Sequence, residues 1–457
     1  MSLYLGTVDP ALGRLDYYSL SQQALMEIVV SEIGAENQRE FRDDDGNFLD
    51  IQYWTGVHVV ANTVKEIRWN VPAVQGVKPE HQGRLSLEWL PETVEDVDID
   101  NRGYEGKLDV KQLPRALRRF VVRNNRLTGS IDLSALPPKI EDFTLSKNLF
   151  SGSFHMKLFP PSLRQVSFYC NKIAGTLDFD PENTTLEKLY LSENKIEGNI
   201  DLSTLPRGLK KFDCARNKLR GSVDLTDLPE TLHELSLFRN DLSGQIVLDR
   251  LPIGLTRLSL QQNAFSGPLF LESLPLTLKD LSLRQNAFSG SMSLDCLPDG
   301  LLELILYQNE LSGPVNLTQL PPTLRKLFIQ LNRFHGEIDL SRLPATLEIL
   351  SLRANTFHGP VDLLHLPQSL TILRLDTNAF SGDINLTALP RGMEVLWLTE
   401  NGFDGQIVFG NTPESLKELM LGSNKVSQND LTYGGTSGDS DNVVKELKRK
   451  FLQVAQF

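Results

Sequence analysis

The sequence predicts a right-handed solenoid of about sixteen turns, an α/β chain that is mostly β with an irregular or 3₁₀ convex side. Three observations lead there. An asparagine returns every 23 residues without a slip, from Asn125 to Asn424. A leucine alternation, L-x-x-L-x-L, stands before these asparagines, and a glycine follows four residues after most of them. A proline then precedes the next leucine run in every regular turn but one, where "DPENTTLEKL" has Asn183 in its place.

The elements can be justified in chain order. "SLSQQALMEIVVSEIG" has apolar residues at helical spacing and predicts an amphipathic helix ending at Gly34, part of an N-terminal cap over residues 1–62. Two degenerate turns follow. "VKEIRWNVPAVQG" puts Pro72 at the asparagine position, and "VEDVDIDNRGYEGKLDV" puts Arg102 there. The array spans 63–427, and one regular turn reads "LKDLSLRQNAFSGSMSLDCLPDG". Its L-x-L alternation predicts a short strand with one buried face, and the later I-D-L-like phrase predicts a second short strand. About six residues then remain, including the Leu-Pro pair, which is too few for an α-helix and predicts turns or 3₁₀ geometry.

The fixed residues in each turn have structural reasons to be there. A chain that turns after a strand leaves backbone groups facing inward, and an amide side chain supplies donors and an acceptor for them. Stacked asparagines therefore predict a hydrogen-bond ladder. The glycine permits a turn that a Cβ would obstruct. Phe150, Phe265, Phe288, Phe334, Phe357, Phe380 and Phe403 stand between the two and are predicted to stack inside. Past the array, residues 428–457 read as a polar linker and a helix with Val443, Val444, Leu447, Phe451 and Val454 on one face, suited to cap the last turn.

The phrase LxxLxLxxN joined to SGxI resembles plant-type leucine-rich repeats, as in plant receptor ectodomains and polygalacturonase-inhibiting proteins, over about residues 52 to 427. The LP-x-x-L phrase resembles the leucine-rich repeat proteins of unicellular eukaryotes. The resemblance implies a horseshoe or arc that binds through its concave strand face. "QYWTGVHV" matches the cap phrase C-x-W-x-G-V-x-C, except that Gln52 and Val59 stand where the cysteines would be. Extracellular members close that cap with a disulfide, so this departure implies a reducing compartment.

Composition narrows the function classes. No stretch of about 18 apolar residues occurs, and the opening "MSLYLGTVDPALGRLDYY" has no basic segment followed by an apolar one, so a cytoplasmic protein without membrane insertion is expected. Three cysteines, Cys170, Cys214 and Cys296, cannot form a paired framework. A net charge of −12 disfavours general affinity for nucleic acid. No phosphate loop, H-E-x-x-H, G-x-S-x-G or paired CxxC is present, so neither enzyme activity nor a cofactor is expected. Asp109, Asp132, Asp178, Asp201, Asp224, Asp339 and Asp362 recur at one position and are expected to bond to backbone rather than bridge a cation. His335 and His358 share another position near His365 and are expected to be surface residues rather than zinc ligands.

Binding residues should be the strand positions between the buried leucines. Serine or threonine fills six of the fourteen positions four residues before the asparagines, which predicts a flat platform with informative exceptions. From the turn after Ser282 the face becomes apolar and aromatic, with Ile305, Tyr307, Phe328 and Leu331, and then Arg353, Arg374, Trp397 and Met420, an aromatic and arginine set of the kind that anchors protein interfaces. A secondary patch combines Tyr169, Tyr190 and Phe238 with Lys188, Lys211 and nearby arginines. The expected function is a non-catalytic protein-interaction scaffold, adaptor or accessory subunit of a multi-protein complex. The alternative is recognition of a glycan, peptide or nucleic acid by the same face.

Overall fold

The computed structural model describes residues 17–70, 82–153, 156, 159–426 and 430–434. The chain divides into two compact units, Met1–Gly198 with Thr204–Lys218, and Asn199–Ser203 with Leu219–Phe457.

The first unit opens with the helix Gln22–Val30, whose start is fixed by Ser21, which accepts a hydrogen bond from the Ala24 N–H. It buries Leu25, Met26, Val29 and Val30. The helix stops short of Gly34. That residue instead precedes a second short helix, Ala35–Gln38, and its N–H donates to the Gln82 carbonyl at 2.7 Å, a tertiary contact that local spacing could not show. Trp54 of the cap phrase is buried. At Gly56, φ is +77° and an added Cβ would lie 2.1 Å from the Arg68 carbonyl oxygen, so only glycine fits.

Val57–Val60 pairs antiparallel with Thr63–Asn70. From there a parallel ladder runs through Asp96–Asp100, Arg119–Arg123, Asp142–Thr144, Gln165–Ser167, Lys188–Tyr190 and Lys211–Asp213. Both degenerate turns therefore carry ladder strands. Pro72 lies outside the described residues. In the second unit the ladder comprises Glu234–Ser236, Arg257–Ser259, Asp280–Ser282, Glu303–Ile305, Lys326–Phe328, Ile349–Ser351, Ile372–Arg374, Val395–Trp397 and Glu418–Met420.

A single turn shows why the sequence folds this way. Leu278, Leu281 and Leu283 are almost fully buried, while Asp280 and Ser282 between them keep partial exposure. Asn286 then donates through Nδ2 to the carbonyls of Leu260, Leu283 and Arg284, at 3.2, 3.0 and 3.3 Å. Its Oδ1 accepts the N–H of Phe265 in the preceding turn at 3.1 Å. Each amide thus stitches its own turn to the one before, and the pattern recurs at Asn148, Asn194, Asn332 and Asn401. Phe288 is fully buried, with its ring centroid 6.3 Å from that of Phe265. Phe334, Phe357, Phe380 and Phe403 stack in the same way at 6.3 to 6.4 Å. Burial of each such ring contributes about 1.5–3 kcal/mol.

The residue before each ladder asparagine is left-handed whatever its type. Lys147, Cys170, Glu193, Leu331 and Thr377 all have φ between 56° and 58°. This conformation costs a non-glycine residue roughly 1–2 kcal/mol, and the asparagine bonds on either side of the bend offset it.

The second strand lies elsewhere than the I-D-L phrase suggests. The second ladder forms directly after the asparagine, as at Ala264–Gly267, Ala287–Ser291 and Glu310–Gly313. One physical cause shifts it. The asparagine Oδ1 of the next turn holds the N–H two residues past each asparagine, laying that segment alongside its neighbour. The I-D-L aspartate turns its carboxylate onto the backbone N–H two residues on, 2.8 Å away for Asp224, Asp339 and Asp362. Among the described residues the phrase becomes a strand at Ile384–Leu386, Ile407–Phe409 and Leu431–Tyr433, whose middle residues are Asn385, Val408 and Thr432. The outer side consists of turns and short 3₁₀ segments such as Val110–Gln112, Leu133–Ala135 and Leu202–Thr204. Val443 to Val454, read as a capping helix, lie outside the described residues.

Candidate functional site

Strand register decides which exposed side chains meet. In the second unit Ile305, Phe328, Ser351, Arg374, Trp397 and Met420 stand side by side on successive strands. The first-choice residues are thus brought onto one face of the ladder. Two positions along, the neighbouring row is Tyr307, Gln330, Arg353 and Asp376. Leu331, in the left-handed bend, is 42% exposed.

The aromatic and cationic groups organise one another. Arg284 lies over the Tyr307 ring at 5.2 Å and donates to its hydroxyl at 2.7 Å. Arg374 stacks 4.1 Å above the Trp397 ring, and the indole N–H donates to Glu418 at 2.9 Å. These contacts hold flat aromatic surfaces in fixed orientations, which lowers the entropy cost of covering them with a partner. Arg353 pairs with Asp376 at 2.8 Å. Burial pushes the Asp376 carboxyl above the ordinary carboxylate range, with Arg353 opposing the shift. Three buried polar atoms on these turns lack a hydrogen-bond partner: Gln330 Oε1, Arg374 Nε and Asp376 Oδ1.

Sequence reasoning missed Asp376 and a second apolar row. Ile349, Ile372 and Val395 stand in register between Lys326 and Glu418, half-buried, beside the Phe328–Trp397 row. The signal was present. At the same position the preceding turns carry Lys211, Glu234, Arg257, Asp280, Glu303 and Lys326, so three aliphatics in succession break a charged row.

The secondary patch is rearranged. Tyr169, Tyr190, Lys188 and Lys211 lie in the first unit, whereas Phe238 lies in the second. Its cations are largely matched by acids. Arg119 bridges Asp96 and Asp98, Arg123 lies 3.3 Å from Asp100, Lys210 bonds Glu187 at 2.9 Å and Arg216 lies 3.3 Å from Glu193. Five cations of the strip, Arg118, Arg119, Arg123, Lys210 and Arg216, thus meet a carboxylate from an adjoining turn.

A groove of about 780 Å³ opens on the ladder face here. Its floor includes Thr144, Ser146 and Ser167, all buried, and Arg123, Lys147, Tyr169, Tyr190 and Asp213 stand around it. Small side chains between large ones make the depression, which the flat platform expected from the serine column did not foresee. Burial raises the carboxyls of Asp142 and Asp100, opposed at Asp142 by the Thr144 hydroxyl and Arg119, and at Asp100 by Arg123. Ser192 donates to Asp213 and Ser146 pairs with Ser167, and no histidine lines the groove. Burial also pushes the Cys214 thiol up, which keeps it protonated.

His335 and His358 are exposed, and His365 approaches Asp362 at 2.6 Å. Among the described residues no group of three or more His, Cys, Asp or Glu side chains could hold a metal ion. No helix of the described residues is long and apolar enough to cross a membrane.

A family model described as Leucine Rich repeat matches residues 182–200. No curated protein matches the chain. Among solved structures, the plant peptide hormone receptor RGFR1 in complex with RGF2 is 23% identical, with 76% of this chain and 70% of that one covered and a TM-score of 0.47. The Arabidopsis receptor kinase HAESA, in complex with the peptide hormone IDA and the co-receptor SERK1, is 20% identical over 88% of this chain and 86% of that one, at a TM-score of 0.48. YopM from Yersinia enterocolitica is 23% identical over 82% of this chain and 90% of that one, at 0.42.

Proposed function

We propose that this chain, a leucine-rich repeat protein, is a non-catalytic binding protein that holds another protein on the ladder face of its second unit. The contact set is Ile305, Tyr307, Phe328, Leu331, Arg353, Arg374, Trp397 and Met420. One observation carries the reading: aromatic, aliphatic and arginine side chains share adjacent registered rows, with Arg374 and Arg284 fixing the rings. Rigid aromatics beside arginine are the composition of interface hot spots. The role of scaffold, adaptor or accessory subunit belongs to the same proposal.

The test is alanine at Tyr307, Phe328 and Trp397, each compared with the parent chain in a pull-down from native lysate. Loss of the same partner from all three supports the reading, and unchanged recovery removes it. A second reading, binding of a peptide or glycan, is favoured by the groove around Tyr169 and Tyr190. Cys170, Cys214 and Cys296, none of them in a disulfide, and the cap without cysteines support residence in a reducing compartment such as the cytoplasm.

A further inference from the structure

We propose that the flank of the second unit around Phe270 is a separate docking surface, which receives a basic amphipathic helix from another protein. The middle position of the I-D-L phrase normally carries an aspartate that bonds to the backbone, as Asp224 and Asp339 do. On two successive turns it carries Val247 and Phe270 instead, 49% and 67% exposed. The position after the Leu-Pro pair changes on the same two turns, to Ile253 and Leu276, 77% and 80% exposed. Val247 and Phe270 share one position on adjoining turns and Ile253 and Leu276 another, and exposed large apolar side chains repeated in this way mark an interaction site. None contributes to the core, so folding does not account for them.

The surroundings specify the occupant. A groove of about 720 Å³ adjoins Phe270, with Met292, Leu294 and Val315 among its apolar lining. Glu272, Asp295, Glu337 and Asp339 also line it, and no lysine, arginine or histidine does. None of these four carboxylates forms an ion pair among the described residues. An apolar floor under an acidic rim complements a segment with one apolar stripe flanked by Lys or Arg. The same acidity, on a chain of net charge −12, repels anionic lipid and acidic proteins. The lining spans four successive turns, about 15 Å at strand spacing, which matches about ten residues of α-helix.

The test uses the full-length chain and a fluorescent amphipathic helix of about fourteen residues, with Leu at i, i+3, i+4 and i+7 spacing and Lys at the other positions, read by anisotropy, with a Leu/Glu peptide of the same pattern as comparison. The proposal expects saturable binding of the Leu/Lys peptide that weakens as salt rises. Phe270→Asp, which restores the residue found at this position in other turns, should weaken it at least tenfold without changing the melting temperature. Glu337→Gln with Asp339→Asn should weaken it and reduce the salt dependence. The proposal is overturned by no binding, by equal binding of the Leu/Glu peptide, or by equal binding to the Phe270→Asp chain. It is also overturned if sedimentation shows a dimer that Phe270→Asp dissolves, because the occupant is then a second copy. None of these outcomes bears on the ladder-face reading, which rests on other residues.

Discussion

Replacing Asn148 by alanine isolates what the ladder amide contributes. Its Nδ2 donates to the carbonyls of Val122, Leu145 and Ser146 at 2.7, 3.1 and 3.2 Å, and its Oδ1 accepts the Leu127 N–H at 3.1 Å. The side chain is 4% exposed, so water cannot replace these bonds without opening the turn. A buried backbone group left unpaired costs about 1–3 kcal/mol, and the substitution strands the Leu127 N–H and at least one carbonyl, giving about 3–5 kcal/mol. The damage should be local, because repeats unfold in neighbouring groups rather than as one body. Native-state hydrogen exchange read by mass spectrometry is therefore the assay. Protection of the Leu127 amide and its segment should fall by about a hundredfold to several thousandfold, at 1.4 kcal/mol per tenfold. Asn424 supplies the internal control, since its Oδ1 has no partner and its half-buried Nδ2 bonds carbonyls alone. Asn424→Ala should cost about 1–2 kcal/mol by the same reasoning. A change below threefold at Leu127 would refute the argument that the amide bridges turns, and equal effects at the two sites would refute the weight given to the Oδ1 bond.

Three further outcomes are expected. Phe357→Ala removes a fully buried ring between Phe334 and Phe380 and should destabilise its region by about 3–5 kcal/mol in urea titration, with Phe357→Leu costing clearly less. Leu331→Gly relieves a left-handed leucine at φ 56° and should stabilise by about 0.5–1 kcal/mol; a loss of stability would show that the bend carries no strain. Asp142 holds its proton above the ordinary value of 3.8 because it is buried. Between that value and its raised one the folded chain binds more protons than the unfolded chain, so this group's contribution to stability falls as pH rises through the window. Asp142→Asn should flatten that part of the stability profile, and an unchanged slope would mean that another group causes it.

The repeat, the asparagine ladder and the phenylalanine stack were legible in the residues because each depends on one side chain at a fixed interval. The left-handed bend was not, since Lys147, Cys170, Leu331 and Thr377 share a conformation and no chemistry. The asparagine that follows imposes that conformation through contacts with the previous turn. The second strand was misplaced for a related reason: alternation in I-D-L is visible locally, whereas the bond that lays the segment after each asparagine against its neighbour comes from the asparagine of the next turn. At the candidate site, the residue types were readable at Phe328, Arg374 and Trp397 because they depart from the serine column. Their mutual arrangement was not readable, nor was the depth of the groove over Thr144 and Ser167, which depends on how far neighbouring side chains rise above the sheet.

Site-specific photo-cross-linking in cells tests the central claim most directly. A photoreactive phenylalanine analogue is placed at Phe328 or Trp397, and at His233, an exposed residue outside the Ile305–Met420 rows, as a control. The account predicts that Phe328 and Trp397 capture one and the same protein and that His233 does not. Equal capture from all three positions, or none from Phe328 and Trp397, would contradict it.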